Sequence, residues 1–451
     1  MKTFLTSSLL AVLAAANPFE GKTLYVNPSY QTELDSSIAT AQGLAKENLQ
    51  KMREMSSAYW IDVKAKLHGT DTDSLEGILN DAASKGHMVT LIVYDLPNRD
   101  CKAKASNGEI CCKYNDDRTC DYMYSGDCSA GIQEYKSEYI DVYADILSQF
   151  EGKVDIALVV EPDSLPNMAS NMGDPHCANS AQAYREGVKY AIETIAAKAP
   201  SATMYLDAAH GGWLGWSDNM AAFVNIVREL PYDKLRGFAT NVANYQPLGE
   251  MCPWSSQTPG RNDYCLNGQH QGESCCEDPC RLESQWNGCN SELNYVQLLQ
   301  KQMQGAGMEP HFIVDTGRNG VGGMRSDCAN WCNPRGAGVG RFPTTETGNS
   351  AIDAYLWLKT PGESDGCTQT LPDGSACARY DSMCGSFDSI GSQGNEPRAP
   401  EAGKWFDYQI KMLAENADFD GTRRLNSSLY QQNYGQTMRQ PFIPGLPLFL
   451  N

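Results

Sequence analysis

Short apolar runs alternate along this chain with stretches of helical spacing, and the runs stop abruptly at polar or acidic clusters. Met88, Leu91, Ile92, Val93 and Tyr94 lead into Asp95-Leu-Pro-Asn-Arg-Asp100-Cys101. Val154, Ile156, Leu158 and Val160 lead into Glu161-Pro-Asp163-Ser-Leu165, and Tyr355 to Leu358 into Lys359-Thr-Pro-Gly-Glu363-Ser-Asp365-Gly366. Runs this short and this apolar read as strands buried on both faces. Further strands are predicted at Ala58–Asp62, Ala202–Asp207, Leu235–Thr240 and His311–Asp315, with the last at Ala354–Leu358. Helical spacing marks Leu75–Ser84, Ile132–Phe150, Ala178–Lys198, Asn219–Leu230, Glu292–Gln304 and Ala399–Ala414. On the second of these, Tyr135, Tyr139, Tyr143 and Ile146 share one face. About seven β/α units imply a parallel sheet closed, or nearly closed, into a barrel. A doubly wound open sheet is the alternative, but the Gly-rich phosphate turn that normally follows its first strand is missing.

The strand ends carry the candidate chemistry, because barrel enzymes place their catalytic groups at the carboxyl ends of buried strands. Cutting a glycosidic bond needs a carboxylic acid to protonate the leaving oxygen and a second carboxylate as nucleophile or activator of water. Asp163 is the best acid: it follows an apolar strand, beside Pro162 and Leu165, where desolvation raises a carboxyl pKa. Asp100, beyond the Pro97-Asn98-Arg99 turn, is the carboxylate that would hold it protonated by like-charge repulsion. Asp365 is a candidate base or charge stabiliser. Any single aspartate at a strand end reads more readily as a turn or helix cap; the repetition favours chemistry. Asp207, His210, Trp213 and Trp216 follow another strand, and Trp60 and Trp331 fall on the same expected face. Sugars stack their C–H faces on indole, so these tryptophans suit a glycan cleft, although a tryptophan can simply fill a core.

A net charge of -19 over 451 residues argues against nucleic acid and anionic membranes, which need basic patches, and suits a neutral polysaccharide. Lys2, the apolar stretch Phe4–Ala14 and the small residues to Ala16 read as a signal peptide over residues 1–16, so a secreted, extracellular protein is expected. No later apolar stretch is long enough to cross a membrane. The 17 cysteines agree with an oxidising compartment, and their odd number leaves at least one thiol unpaired in a monomer, the expected state, or an intermolecular bridge. They crowd into Cys101–Cys128, Cys252–Cys289 and Cys328–Cys384, which predicts long loops stapled onto a core that folds by burial. Zinc at Cys275-Cys276-Glu-Asp-Pro-Cys280 is the competing reading. Two aperiodic stretches rich in Gly and Cys, 246–290 and 360–398, read as long loops on the carboxyl face. The main domain is placed at 17–418, followed by an extended arm over 419–451 that carries the sequon Asn426-Ser-Ser428.

These motifs together resemble glycoside hydrolase family 6, the secreted cellobiohydrolases and endoglucanases. The resemblance rests on Tyr94 through Cys101, Val160 through Leu165, Tyr205 through Trp216, Arg236 through Tyr245, Asp315-Thr-Gly-Arg318, Trp331-Cys-Asn333 and Lys359 through Gly366, in family order. It implies a distorted seven-stranded β/α barrel with long disulfide-stapled active-site loops and inverting attack on β-1,4-glucan, with no cofactor and no metal. Asp163 then matches the general acid, Asp100 the aspartate that tunes it, Tyr94 the tyrosine that helps distort the sugar, and Ser106 the serine that helps position water. Asp365 matches the aspartate proposed as base or stabiliser. Asp207, His210, Asn241, Lys359 and Glu363 match polar sugar-binding positions, and Trp60, Trp213, Trp216 and Trp331 match stacking platforms. The resemblance also implies disulfides Cys101–Cys177 and Cys332–Cys384. The chain departs from the pattern at Asn98, where an aspartate is common, in a longer Gly108–Gly131 loop, in a Met251–Cys289 insertion and in an extended Cys367–Cys377 loop.

In the family that the chain resembles, long loops after the Asp100 strand and around Asp365 roof the cleft; both are long here, so the resemblance implies release of cellobiose from non-reducing chain ends. An endoglucanase of the same family is the alternative. A non-catalytic glucan-binding wall protein is the reading of another class, and its mark would be loss of Asp163 or Asp100.

Overall fold

The computed structural model describes residues 16–422. The expected signal peptide before residue 16, the arm beyond residue 422 and the Asn426 sequon lie outside the described residues.

Seven parallel strands form one sheet in chain order: β1 (Tyr59–Ile61), β2 (Val89–Val93), β3 (Ile156–Val160), β4 (Thr203–Asp207), β5 (Gly237–Thr240), β6 (His311–Asp315) and β7 (Ile352–Leu356). Each matches a predicted run to within two residues or so, because a strand buried on both faces has no polar position at which to end early. The sheet curls until β7 faces β1 without forming a ladder. Hydrogen bonds bridge the seam, among them the Ala58 N–H to the Trp357 carbonyl at 2.8 Å, the Trp60 indole N–H to the Leu358 carbonyl at 2.9 Å and the Thr360 hydroxyl to the Ala58 carbonyl at 3.1 Å. That open seam is the distortion in the barrel.

Alternate residues sort to two cores, as the pleat requires. Ile92, Ala157, Val159, Tyr205, Ala239, Ile313 and Ala354 fill the barrel interior. Leu91, Val93, Leu158, Val160, Leu206, Phe238 and Val314 pack outward against the helices. One charge inside is paired: Asp353 accepts from the Tyr205 hydroxyl at 2.7 Å and from the Arg236 guanidinium at 2.9 Å.

Departures from the expected helices have local causes. The Ile132–Phe150 segment is helical but contains a π-helical turn over Tyr135–Ile140, between helices Ser129–Glu134 and Asp141–Gln149. A π turn rotates the side chains that follow it. Here Tyr135 donates to Glu161 Oε1 at 2.6 Å and Tyr139 to the Ile61 carbonyl, so both hydroxyls support strand ends. The expected Ala399–Ala414 helix is shorter, Asp407–Glu415, because residues before it pair with the Asp365 loop. The Ser364 N–H meets the Lys404 carbonyl at 2.9 Å, and the Phe406 N–H meets Gly362 at 2.7 Å. Helices Pro28–Ile38 and Gly43–Met52 were not expected. They bury Tyr30, Leu34, Leu49 and Met52 against Trp357, Ile410 and Leu413, behind the seam.

Eight disulfides hold the loops. Cys101–Cys177 and Cys332–Cys384 form as the resemblance implies. The others are Cys111–Cys120, Cys112–Cys128, Cys252–Cys275, Cys265–Cys276, Cys280–Cys328 and Cys367–Cys377. The competing zinc reading is corrected, since Cys275, Cys276 and Cys280 each have a disulfide partner. Cys289 is the unpaired thiol, and it is buried. Among the described residues, no helix is long and apolar enough to cross a membrane.

Buried carboxyls give the stability a definite pH slope. Burial raises Glu161 to about 7, Glu292 to about 8, Asp207 to about 7 and Asp315 to about 6. In the unfolded chain such groups titrate near ~4. The folded chain therefore binds more protons across the interval between, and stability falls as pH rises through it. At lower pH the sign reverses: despite burial, hydrogen bonds from Arg261 and Arg335 hold Asp263 and Glu396 low, and protonating them costs stability. Melting by calorimetry is expected at a higher temperature near pH 5 than near pH 8, and Glu292→Gln should flatten the alkaline part of the slope. A melting temperature that climbs from pH 5 to 8 would refute the assignment.

Candidate active site

A cavity of about 350 Å³ opens at the carboxyl ends of the strands. Its wall includes Trp60, Tyr94, Asp100, Ser106, Asp163, His210, Trp213, Trp331, Lys359, Glu363 and Asp365, so most of the nominated residues converge.

The two aspartates nominated as acid and partner share a backbone feature. Asp100 has φ 51° and Asp163 has φ 63°, and Glu161 between β3 and Asp163 has φ 46°. Left-handed backbone at a non-glycine residue is sterically costly and persists only where surroundings enforce it. Those surroundings are visible. The Tyr184 hydroxyl donates to the Asn98 carbonyl at 2.6 Å and accepts from the Cys101 N–H at 2.9 Å, clamping the Asp100 turn from below. The Asp163 N–H donates to Asp207 Oδ2 at 3.0 Å, and the Asp163 carbonyl accepts from the Asn167 amide at 2.6 Å. Asn98, the departure from the family pattern, itself sits at φ 51° and accepts from the Cys112 N–H at 3.0 Å. It ties the longer loop to the turn.

Asp100, Asp163 and Asp207 form one carboxyl group cluster. Asp100 accepts from the Ser106 hydroxyl at 2.6 Å and the Ala103 N–H at 3.3 Å. Burial raises it to about 6 against those bonds. Asp207 is buried beneath the cavity rather than on its wall. Asp163 is raised well above the ordinary carboxyl range, first by burial and then by the charges of Asp100 and Asp207. It is therefore the group that keeps its proton when its neighbours have lost theirs.

Asp365 is built the opposite way. Arg318, fully buried, donates to its Oδ1 at 2.6 Å; the Tyr245 hydroxyl and Asn333 N–H donate to its Oδ2 at 2.6 and 2.9 Å. Three donors, one of them cationic, hold this carboxyl group in place.

At one end of the cavity, Trp60 meets the Tyr94 ring edge-on at 5.0 Å, and Lys359 lies over Trp60 at 5.4 Å while pairing with Glu363 at 2.6 Å. Toward the other, the Trp213 indole N–H donates to Ser170 at 2.7 Å. His210 packs beside it, and burial lowers its pKa to about 3, so its imidazole is neutral. Three nominated residues do not reach the wall: Asp207, already placed beneath it, Asn241 and Trp216. Asn241 is a correction: its amide donates to the Asp315 carbonyl at 2.8 Å and it is wholly buried, holding adjacent strand ends together. Trp216 lies outside the cavity, its indole N–H donating to the Gln285 carbonyl at 3.0 Å.

Other wall residues were not nominated: Asp62, Lys66, Lys102, Asn167, Asn171, Asn244 and Arg379. Asp62 directly follows β1 and carried the same strand-end signal as Asp163. Arg379 and Lys102 arrive on loops, where no periodicity marks them. A buried support layer also went unread. Asp95 and Glu161 meet through the Asp95 N–H and Glu161 Oε1 at 3.2 Å, and burial raises both.

A roof crosses the cavity. The Lys104 N–H donates to Asp381 at 2.8 Å, and Arg379 donates to the Asn107 carbonyl at 3.2 Å, so the loop after β2 touches the loop after Asp365. Gly366 marks the meeting point. A Cβ there would lie 2.6 Å from Cys384 Sγ and 2.7 Å from Ala105 Cβ.

The family model for glycosyl hydrolases family 6 matches residues 19–417. The chain is 36% identical over 410 residues to exoglucanase 3 of Agaricus bisporus, covering 90% of this chain and 80% of that protein. It is 35% identical over 421 residues to the 1,4-beta-D-glucan cellobiohydrolase CEL6C of Podospora anserina, covering 91% and 90%. Among solved structures, it superimposes on the catalytic core of the cellobiohydrolase Cel6A from Chaetomium thermophilum with TM-score 0.70 at 32% identity, covering 90% of this chain and 99% of that one. Cellobiohydrolase II (Cel6A) from Humicola insolens, in complex with glucose and cellotetraose, gives TM-score 0.69 at 32% identity, covering 89% and 99%. The curled seven-stranded barrel, the strand-end aspartates and these relatives agree: the chain belongs to glycosyl hydrolases family 6.

Proposed function

We propose that this protein is a secreted cellobiohydrolase that hydrolyses β-1,4-glucan with inversion and releases cellobiose from non-reducing chain ends. The observation that carries the reading is the carboxyl cluster in the roofed cleft: Asp163, raised by burial and by the charges of Asp100 and Asp207, lines the same cavity as Asp365, which is held by three donors. Relatives named exoglucanase and cellobiohydrolase at similar identity support it.

In this mechanism Asp163 protonates the leaving glycosidic oxygen. Ser106, hydrogen-bonded to Asp100, positions water for attack on the opposite face of the sugar. Asp365 has its lone pairs engaged by Arg318, Tyr245 and Asn333, which suits it to stabilising positive charge on the sugar ring more than to accepting a proton. Tyr94 and Trp60 form the floor on which the sugar next to the cut bond is distorted. Trp213 and Trp331 stack further sugars, with Lys359, Glu363 and His210 placed for hydroxyl contacts. The contact between Lys104 and Asp381, with that of Arg379 to Asn107, favours threading of a chain end over internal cutting.

Proton NMR of cellohexaose digestion is the direct test. The first-formed new anomer is expected to be α, and cellobiose is expected to dominate the products. Immediate β-anomer would exclude inversion, and a fast loss of carboxymethylcellulose viscosity with little soluble sugar would favour an endoglucanase.

Asp163→Asn should lower kcat by roughly 100- to 10,000-fold while cello-oligosaccharide binding persists, since an amide is sterically similar but has no acidic proton. Near-wild-type turnover would take Asp163 out of the acid role.

The alkaline limb of the pH–rate profile should report loss of the Asp163 proton. Removing the Asp100 charge removes one of the terms that raise Asp163. In Asp100→Asn, the residual activity should therefore show its alkaline limb at lower pH than wild type. A limb that stays in place, or moves to higher pH, contradicts the electrostatic link.

A further inference from the structure

The Met251–Cys289 insertion presents a tryptophan to solvent in a place that the fold does not require. Trp286 is 57% exposed, and its backbone has φ 61°. A bulky residue in left-handed backbone is disfavoured, and an exposed indole gains nothing from burial. The turn over 283–287 accounts for the φ, but Gly or Asn would make the same turn at less cost. It does not account for the indole.

The surroundings fix that indole in position. Arg261 lies with its guanidinium carbon 5.3 Å from the Trp286 ring centre. The guanidinium is itself held by the buried Asp263 carboxylate at 2.6 Å and by the Thr258 hydroxyl at 3.0 Å. On the far side of the turn, the Asn287 amide donates to the Gly211 carbonyl at 2.9 Å. The preceding residue, Gln285, receives the indole N–H of Trp216. Cys280–Cys328 then ties the insertion to a residue on the cavity wall. The insertion is thus docked on the turn that carries His210, Trp213 and Trp216. Trp286 is the residue that follows the contact with Trp216, and it is not on the cavity wall.

We propose that Trp286 is an additional stacking platform for a β-1,4-glucan chain, extending the line of indoles from Trp213 through Trp216 beyond the roofed cleft. The inference rests on the glucan reading of that cleft. A pre-fixed indole loses little freedom on binding, and it offers a face to the C–H side of a pyranose without demanding a charged ligand. Short oligosaccharides that fill the cavity alone would not reach it; a long chain or a cellulose surface would.

The test compares the full chain with Trp286→Ala and Trp286→Phe. On cellotetraose, kcat/KM of both variants should match wild type. On insoluble cellulose, Trp286→Ala should bind roughly 3- to 10-fold more weakly, with a matching loss of initial rate, while Trp286→Phe keeps most of the affinity. Wild-type adsorption and rate for Trp286→Ala, in a preparation that cuts cellotetraose normally, would overturn the platform and leave the function intact. If wild type cuts no cello-oligosaccharide at all, the reading of the cleft fails first. Equal losses on cellotetraose and cellulose would show that the substitution disturbs the Trp213 turn, and would likewise overturn a separate platform.

Discussion

Three carboxyl groups buried together, with no cation among the described residues hydrogen-bonded to any of them, set the terms for the rest of this structure. Asp100, Asp163 and Asp207 cannot all ionise at little cost in a low-dielectric site, so one must hold a proton. Which one is decided by donors. Asp100 has Ser106 and the Ala103 N–H; Asp207 has the backbone N–H groups of Asp163 and Ala209. Among the described residues Asp163 has no such donors to its carboxyl, and the proton goes there. The three groups titrate as a set, so any macroscopic pKa of the enzyme belongs to the set.

Keeping such a cluster intact is costly, and the surrounding structure carries that cost. Left-handed backbone at Asp100, Asp163, Glu161, Ala209, Asn241 and Asn333 concentrates at the carboxyl face of the barrel. At about 1–3 kcal/mol each, these residues hold their positions only because the neighbours over-determine them. Tyr184, Asn98, Asn167 and Asn241 supply the constraining hydrogen bonds. The loop disulfides add a second constraint by limiting how far the chain can relax when those bonds open. Cys101–Cys177 anchors the residue next to Asp100, and Cys332–Cys384 anchors the one next to Asn333, which in turn donates to Asp365. The staples therefore lie one residue from the cleft's carboxylates or from their donors.

How much of this was legible follows from the physics of each signal. The strands were readable because burial on both faces leaves an unbroken apolar run, as in Val89–Val93 and Ile156–Val160. The strand-end aspartates were readable for the same reason: polarity returns where the sheet stops. The helices Pro28–Ile38 and Gly43–Met52 were not, since their buried stripes face a cluster assembled from Trp357 and Leu413, more than 300 residues away in the chain. Asn241 looked like a sugar contact because its motif matched. Its amide is instead committed to Asp315, a partner 74 positions further on that no local pattern specifies. Arg379 escaped notice because loop residues carry no period.

Asp163 and Asp365 make the limit of sequence reading concrete. Each follows a buried strand, and each lies two residues beyond a glutamate, Glu161 and Glu363. Their sequence settings are close to equivalent. Their chemistry is not, and the difference lies entirely in long-range partners. Asp365 is met by Arg318 from 47 positions upstream and by Tyr245 from 120. Asp163 is met by Asp100 and Asp207, which bring charge of its own sign. One carboxyl is driven to keep a proton and the other is met by an arginine and two further donors, so a single local motif yields two differently equipped carboxyl groups on the wall of the same cleft. The proposed division of labour follows from that contrast: protonation of the leaving oxygen falls to the group with no donor, and stabilisation of positive charge on the sugar falls to the group with three.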